Sequence, residues 1–126
     1  MTTLTLTLPW PPRELSPNAR GVWPRIRATK AYREIAWGAA LEAIGPSKRQ
    51  LRAPVICYLT FFAKTRRRRD GDNLVAMMKA ALDGIVWAGA LADDSADVLK
   101  MQEPKIVVDP TIREPYVYIE LVEALR

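Results

Sequence analysis

Leucine alternates with threonine from Thr3 to Leu8, and this period of two predicts a half-buried strand. Pro9-Trp10-Pro11-Pro12 ends it, because proline fixes φ and supplies no backbone donor. From Arg13 to Arg27 no periodicity is present; Pro17, Gly21 and Pro24 punctuate an arginine-rich stretch that reads as a basic loop around Trp23. Thr29 is placed to cap a helix from about Lys30 to Ile44, which Gly45-Pro46 stops. Within it Tyr32, Ile35, Ala36, Ala39 and Ala43 recur at helical spacing and are expected to face the core, with Trp37 and Leu41 widening the buried stripe. Pro54 to Ala63 is almost continuously apolar, β-branched or aromatic, which predicts a central strand buried on both faces.

A second helix is expected from near Asp72 to Gly89. Leu74, Met77, Met78, Ala81, Ile85 and Ala88 share one arc, and Asp72, Ala76, Lys79 and Asp83 share the opposite one. Val75, Leu82 and Val86 form a secondary apolar stripe that either packs beneath the sheet or meets a second subunit, the sheet contact being preferred. Ala92 to Asp97 is a polar turn. Val98 to about Val108 reads as one strand or as two interrupted at Pro104, and Tyr116 to Glu123 as a last strand with Val117, Ile119 and Leu121 on one face. This order predicts an α/β (α+β) fold, a mixed β-sheet with two helices packed on it as a single layer.

The chain of 126 residues fits one domain spanning 1–126. No apolar run approaches the roughly 18 residues of a membrane span. Met1-Thr2-Thr3-Leu4 lacks the charged and apolar segments of a signal peptide, so a cytoplasmic location is expected. With no histidine and a lone cysteine, Cys57, the sequence excludes histidine bases, Ser/His/Asp triads, Cys/His zinc sites and an internal disulfide; Cys57 reads as a core residue.

Charge changes the picture more than composition does. Residues 1–69 carry 14 basic and 3 acidic side chains, net +11, whereas residues 70–126 carry 5 basic and 11 acidic, net −6. The sign reverses at Arg66-Arg67-Arg68-Arg69-Asp70-Gly71-Asp72. Such asymmetry suits a protein that meets a polyanion with one surface, although a basic face alone also accounts for it.

Two kinds of chemistry are open at that junction. Asp70 and Asp72 stand at a helix start, and Asp93, Asp94 and Asp97 lie on a later turn; together they offer the oxygen ligands hard divalent cations prefer, or they serve as caps and turn residues. Arg66 to Arg69 match phosphate geometry, or form a solvated loop. Trp10 and Trp23 are placed either to stack on unpaired bases or wedge a junction, or to pack against their neighbouring prolines. Lys79, in line with Asp72 and Asp83, is a solvated lysine, a partner for a carboxylate or a stabiliser of an attacked phosphate.

The chain resembles the RusA-like Holliday junction resolvases, small endonucleases common in phages and prophages. The resemblance begins at Leu6-Thr7-Leu8-Pro9-Trp10-Pro11-Pro12, is strongest over Arg66-Arg67-Arg68-Arg69-Asp70-Gly71-Asp72-Asn73-Leu74, continues through Lys79-Ala80-Ala81-Leu82-Asp83 and ends at Ala92-Asp93-Asp94. It implies a RusA-like fold and a Mg²⁺-dependent endodeoxyribonuclease, with Mn²⁺ as a substitute. Such an enzyme resolves four-way or related branched DNA by paired symmetric nicks, leaving 5′-phosphate and 3′-hydroxyl ends.

By position, Asp70, Asp72 and Asp94 match the metal-binding and catalytic acids, Lys79 the catalytic lysine, and Asp93 and Asp83 the acids that accompany them. The DNA-contacting set becomes Arg66, Arg67, Arg68 and Arg69 with Asn18, Arg20, Arg25 and Arg27. The resemblance further implies a homodimer, branched DNA as partner, no nucleotide cofactor, no membrane, and a bacterial host cytoplasm if the chain is phage-encoded. Two departures stand out. Lys79 lies seven residues after Asp72 instead of four, Ala76 filling the nearer position, and Arg13-Glu14-Leu15-Ser16-Pro17-Asn18 only loosely matches the family's asparagine-containing loop. A branched-DNA-binding module of the same fold that cuts weakly or not at all is the alternative, and an interaction protein whose basic half docks an acidic partner is a third reading.

Overall fold

The computed structural model describes residues 2–124; Met1, at which the signal-peptide reading starts, lies outside them. Alternation builds the first strand as expected: β1 (Thr3–Pro9) buries Leu6 and Leu8 and exposes its threonines. It pairs antiparallel with β5 (Tyr116–Glu123), which pairs antiparallel with β2 (Val55–Ala63). The outer edge of β2 is shared by two short parallel strands, β3 (Leu99–Met101) beside its first half and β4 (Lys105–Val108) beside its second. The break between them falls at Gln102–Pro104, as the proline predicts. A parallel partner needs a long crossover, and the helical segment between β2 and β3 supplies it.

All the helices cover one face of the sheet. Leu59, Phe61, Val117, Ile119 and Leu121 on that face meet Tyr32, Met78, Ala81 and Ile85 from the helices. β2 is therefore buried on one face only, which corrects the expectation of burial on both: Val55, Cys57, Leu59 and Phe61 point inward and Tyr58 is exposed. Burial raises the Cys57 thiol to about 12, so it is an inert core side chain.

The first helix corrects the loop reading of residues 22–27. It is α1 (Val22–Ile44), and Thr29 lies inside it rather than capping it. Pro24 sits in its first turn, where no intrahelical N–H is required, so proline starts this helix instead of excluding it. Gly21, at φ 102°, makes the turn into it. The buried line is Tyr32, Ala36 and Ala40; Ile35, Ala43, Trp37 and Leu41 are exposed, against expectation. Where the neighbouring helix crosses at Gly84 it comes close to Ala36 and to the backbone of Arg33 and Trp37, so only a small residue fits there, whereas Tyr32, a turn earlier, reaches Pro9 and Met78. Tyr32 satisfies its buried hydroxyl by donating to the carbonyl of Pro9 at 2.7 Å, fixing α1 to the end of β1.

The second predicted helix is divided. α2 (Gly71–Met77) and α3 (Lys79–Trp87) meet at Met78, whose φ of −84° and ψ of −3° place it between two helical segments. Leu74, Met77, Met78, Ala81 and Ile85 are buried as read, and the secondary stripe packs inward too: Leu82 is buried, while Val75 and Val86 rest half-buried against the core.

One carboxylate closes the open ends of three elements. Glu123 accepts from the backbone N–H of Arg52 at 2.6 Å and of Thr2 at 3.1 Å, with Arg49 3.8 Å away. The Arg52 hydrogen bond, followed by those from Thr2 and the Arg49 charge, holds it below its ordinary value of 4.5. A depressed carboxylate contributes stability that is complete above its ordinary pKa and disappears as pH falls through the lowered folded-state value. Glu123→Gln is accordingly expected to lower the melting temperature at neutral pH, with the gap to wild type closing in acid. A gap independent of pH would show that the charge is not what matters.

Candidate functional site

The end of β2 delivers the chain directly into the basic run. Asp70 then caps α2: its Oδ1 accepts from the N–H groups of Asp72 at 2.9 Å and Asn73 at 3.3 Å. Trp10, at the end of β1, packs edge-on against Phe61 with ring centroids 5.4 Å apart. The Arg69 guanidinium lies 5.5 Å from the Trp10 ring centroid and donates to the carbonyl of Arg67 at 3.0 Å. Arg69 is thus half-buried and structural on one side, while Arg66, Arg67 and Arg68 are exposed.

These groups line an open cleft of about 440 Å³ between Trp10, Arg13, Arg67–Arg69, Asp70 and Asn73. Arg13 and Ser16 also wall an adjoining recess that includes Asn18 and Arg20, and Met77 is shared with a smaller one, about 250 Å³, beside Lys79 and Asp83. Arg13 belongs to this surface although the resemblance did not select it. Its place directly after Pro11-Pro12, at the mouth of the proline turn, is the sequence signal that marks it.

The remaining DNA-contact candidates separate by role. Asn18, Arg20 and Arg27 are exposed. Arg25 is half-buried and donates through Nη2 to the carbonyls of Ser16 at 2.8 Å and Ala19 at 3.3 Å, fastening the loop to α1.

Lys79 gathers the second acidic group. Its Nζ donates to Asp83 at 3.0 Å and to Asp94, whose own N–H is held by Asp93 at 2.8 Å. The Asp94 hydrogen bond, then that of Asp83, pushes the lysine pKa above its ordinary range, so the ammonium stays charged at neutral pH. The structure therefore unites Lys79, Asp83 and Asp94, and places Asp70 and Asp72 on the first turn of α2.

It does not unite these two sets of acids. Among the described residues, no three carboxylate or thiol side chains are grouped to hold a metal ion. One Asp70 oxygen is engaged by the helix cap and Asp94 is neutralised by Lys79, so Asp70, Asp72 and Asp94 as placed do not fit a shared cation. What the arrangement offers chemically is an arginine-lined cleft suited to anionic oxygens, with one exposed carboxylate, that of Asp70, in its wall.

Comparison with known proteins adds a relative but no activity. No family model matches the chain. A protein of Xylella fastidiosa strain Temecula1, described as uncharacterized, is 33% identical over 114 residues, covering 87% of this chain and 67% of the relative. Among the described residues, no helix is long and apolar enough to cross a membrane.

Proposed function

The chain belongs to the same family as this Xylella fastidiosa protein, and we propose that it is a RusA-like, structure-selective endodeoxyribonuclease that holds the backbone of branched DNA in the arginine-lined cleft. The observation that carries the reading is the shared wall of Arg67, Arg68, Arg69, Asp70 and Asn73: phosphate-matching donors and a carboxylate line one recess. Arginine forks bind phosphodiester oxygens, and Asp70 is the group there able to order or deprotonate an attacking water. Mg²⁺ dependence and a homodimer belong to the same proposal, the cation requiring Asp94 to exchange its ion pair with Lys79 for a place beside the acids at the start of α2. Paired symmetric nicks need two clefts related by a two-fold axis.

A second reading, binding without cutting, is favoured by the ion pair that occupies both Lys79 and Asp94. The two agree on DNA binding and part only on turnover.

Binding led by Arg67 and Arg68 is electrostatic, so affinity for a four-way junction is expected to fall steeply with salt. Substituting both by alanine should make the slope of log affinity against log salt shallower by roughly 2, one unit for each lost phosphate contact. Gel-shift titrations from low to moderate salt measure this. An unchanged slope would remove the cleft from DNA binding.

A further inference from the structure

Large apolar side chains are rarely left on a surface in a group without a function. At the start of α1, Val22 and Trp23 are each 70% exposed and Ile26 50%. Exposed cations surround them: Arg20 just before the helix, then Arg27 and Lys30 one and two turns along. Arg13 faces the recess that Pro24 and Arg20 also line, and that recess continues into the arginine-lined cleft through Arg13 and Ser16. Glu14 is the acid in this surface, and it sits 4.0 Å from Arg13.

Local geometry sets how this group is presented. Gly21 adopts a φ no ordinary side chain favours, and a Cβ there would meet the Pro24 ring at 3.3 Å, so the chain turns sharply before lifting Val22 and Trp23 outward. Arg25 bonds the carbonyls of Ser16 and Ala19 and acts as a positioning residue for the same turn. A tryptophan exposed among cations, next in sequence to Pro24 in a recess that adjoins the arginine-lined cleft, matches the chemistry of an unstacked base whose backbone continues into that cleft.

We infer that Trp23 stacks on an unpaired or unstacked base at the branch point of the DNA, with Arg20 and Arg27 holding the flanking phosphates. This rests on the DNA-binding reading proposed above and deepens it, naming the structural feature by which branched DNA is told from duplex.

The test compares Trp23→Ala, Trp23→Phe and, as a control exposed elsewhere on the surface, Trp87→Ala. Each full-length protein is titrated with a four-way junction carrying 2-aminopurine at the branch point, with a gapped duplex, and with a fully paired duplex of equal length. Trp23→Ala is expected to weaken junction and gap binding about tenfold, within the range of one base–aromatic stack. Duplex binding should stay unchanged and the 2-aminopurine emission should rise on loss of the stack. Trp23→Phe should recover most of the affinity, and Trp87→Ala should match wild type.

Equal losses on branched and paired DNA, or no loss on either, would overturn the inference while leaving DNA binding intact. A shift from dimer to monomer in Trp23→Ala by sedimentation would overturn it in favour of a second copy covering the patch. No binding of any DNA by the wild-type protein at low salt would overturn the underlying reading as well.

Discussion

Replacing Asp70 by asparagine is expected to abolish strand cutting while leaving the fold and junction binding in place. Asp70 does two things: its Oδ1 caps α2 through Asp72 and Asn73, and its exposed carboxylate lies in the wall of the arginine-lined cleft. Asparagine retains the first role, since its side-chain carbonyl caps a helix about as well as a carboxylate. It loses the second, because an amide carries no charge and takes up no proton near neutrality. Under the proposed function, cutting should fall by at least about 100-fold, the lower range for removing a group engaged in proton transfer. Junction binding should be equal or slightly tighter, one negative charge having left a phosphate cleft. Nicking rates, gel shifts and a thermal melt on the same preparation separate these effects. Full activity in the variant would remove Asp70 from the chemistry.

The largest effect on stability is expected at Gly84. It lies on α3 where that helix meets α1, and a Cβ built there would come within 2.3 Å of the Arg33 carbonyl oxygen and 2.9 Å of the Trp37 nitrogen. Both are backbone atoms of a long helix, so neither can swing aside as a side-chain tip would. Alanine normally gains about 1 kcal/mol over glycine inside a helix. Here the helices must separate instead, and overpacking of this kind costs about 1–3 kcal/mol or more. Gly84→Ala is expected to lower the unfolding free energy by about 1–2 kcal/mol net of the propensity gain. In urea this shows as a lower midpoint with an unchanged slope. A midpoint at or above that of wild type would mean that the two helices sit further apart than described.

That close crossing also explains how far the fold was legible in the sequence. Strands with clean alternation were readable: β1 and β5 follow their period-two patterns, and Pro104 divides β3 from β4. α1 was misread at its start because Pro24 and Gly21 act as breakers in a helix interior but as starting residues at its first turn. Its buried face departs from the periodicity because the crossing at Gly84 admits the small Ala36, while Tyr32 is buried a turn away and Ile35 and Trp37 are exposed. Such a preference depends on the partner helix, which periodicity within one helix does not contain. β2 looked buried on both faces because Tyr58 and Phe62 are apolar, yet helices cover a single side of the sheet.

At the site, what is local was legible and what is tertiary was not. Asp70 as a cap and the exposed Arg66 to Arg68 follow from adjacent residues. The capture of Asp94 by Lys79 does not, since it joins a helix to a turn 15 residues further on. Lys79 and Asp83 pair at helical i, i+4 spacing, which the exposed acid–lysine–acid line on that face anticipated. Arg25, one of the expected DNA contacts, also donates to two backbone carbonyls, a role that its neighbours in sequence do not show.

The central claim is that this cleft acts on branched DNA, and a nicking assay on a synthetic four-way junction tests it most directly. The wild-type protein, well below the junction concentration, is incubated with Mg²⁺, Mn²⁺ or EDTA beside a duplex of the same sequence. The account predicts paired nicks at symmetric positions in the junction with either cation, none with EDTA, and an intact duplex. Junction binding without any turnover would contradict the nuclease reading and leave the binding module, and failure to bind the junction at low salt would contradict both.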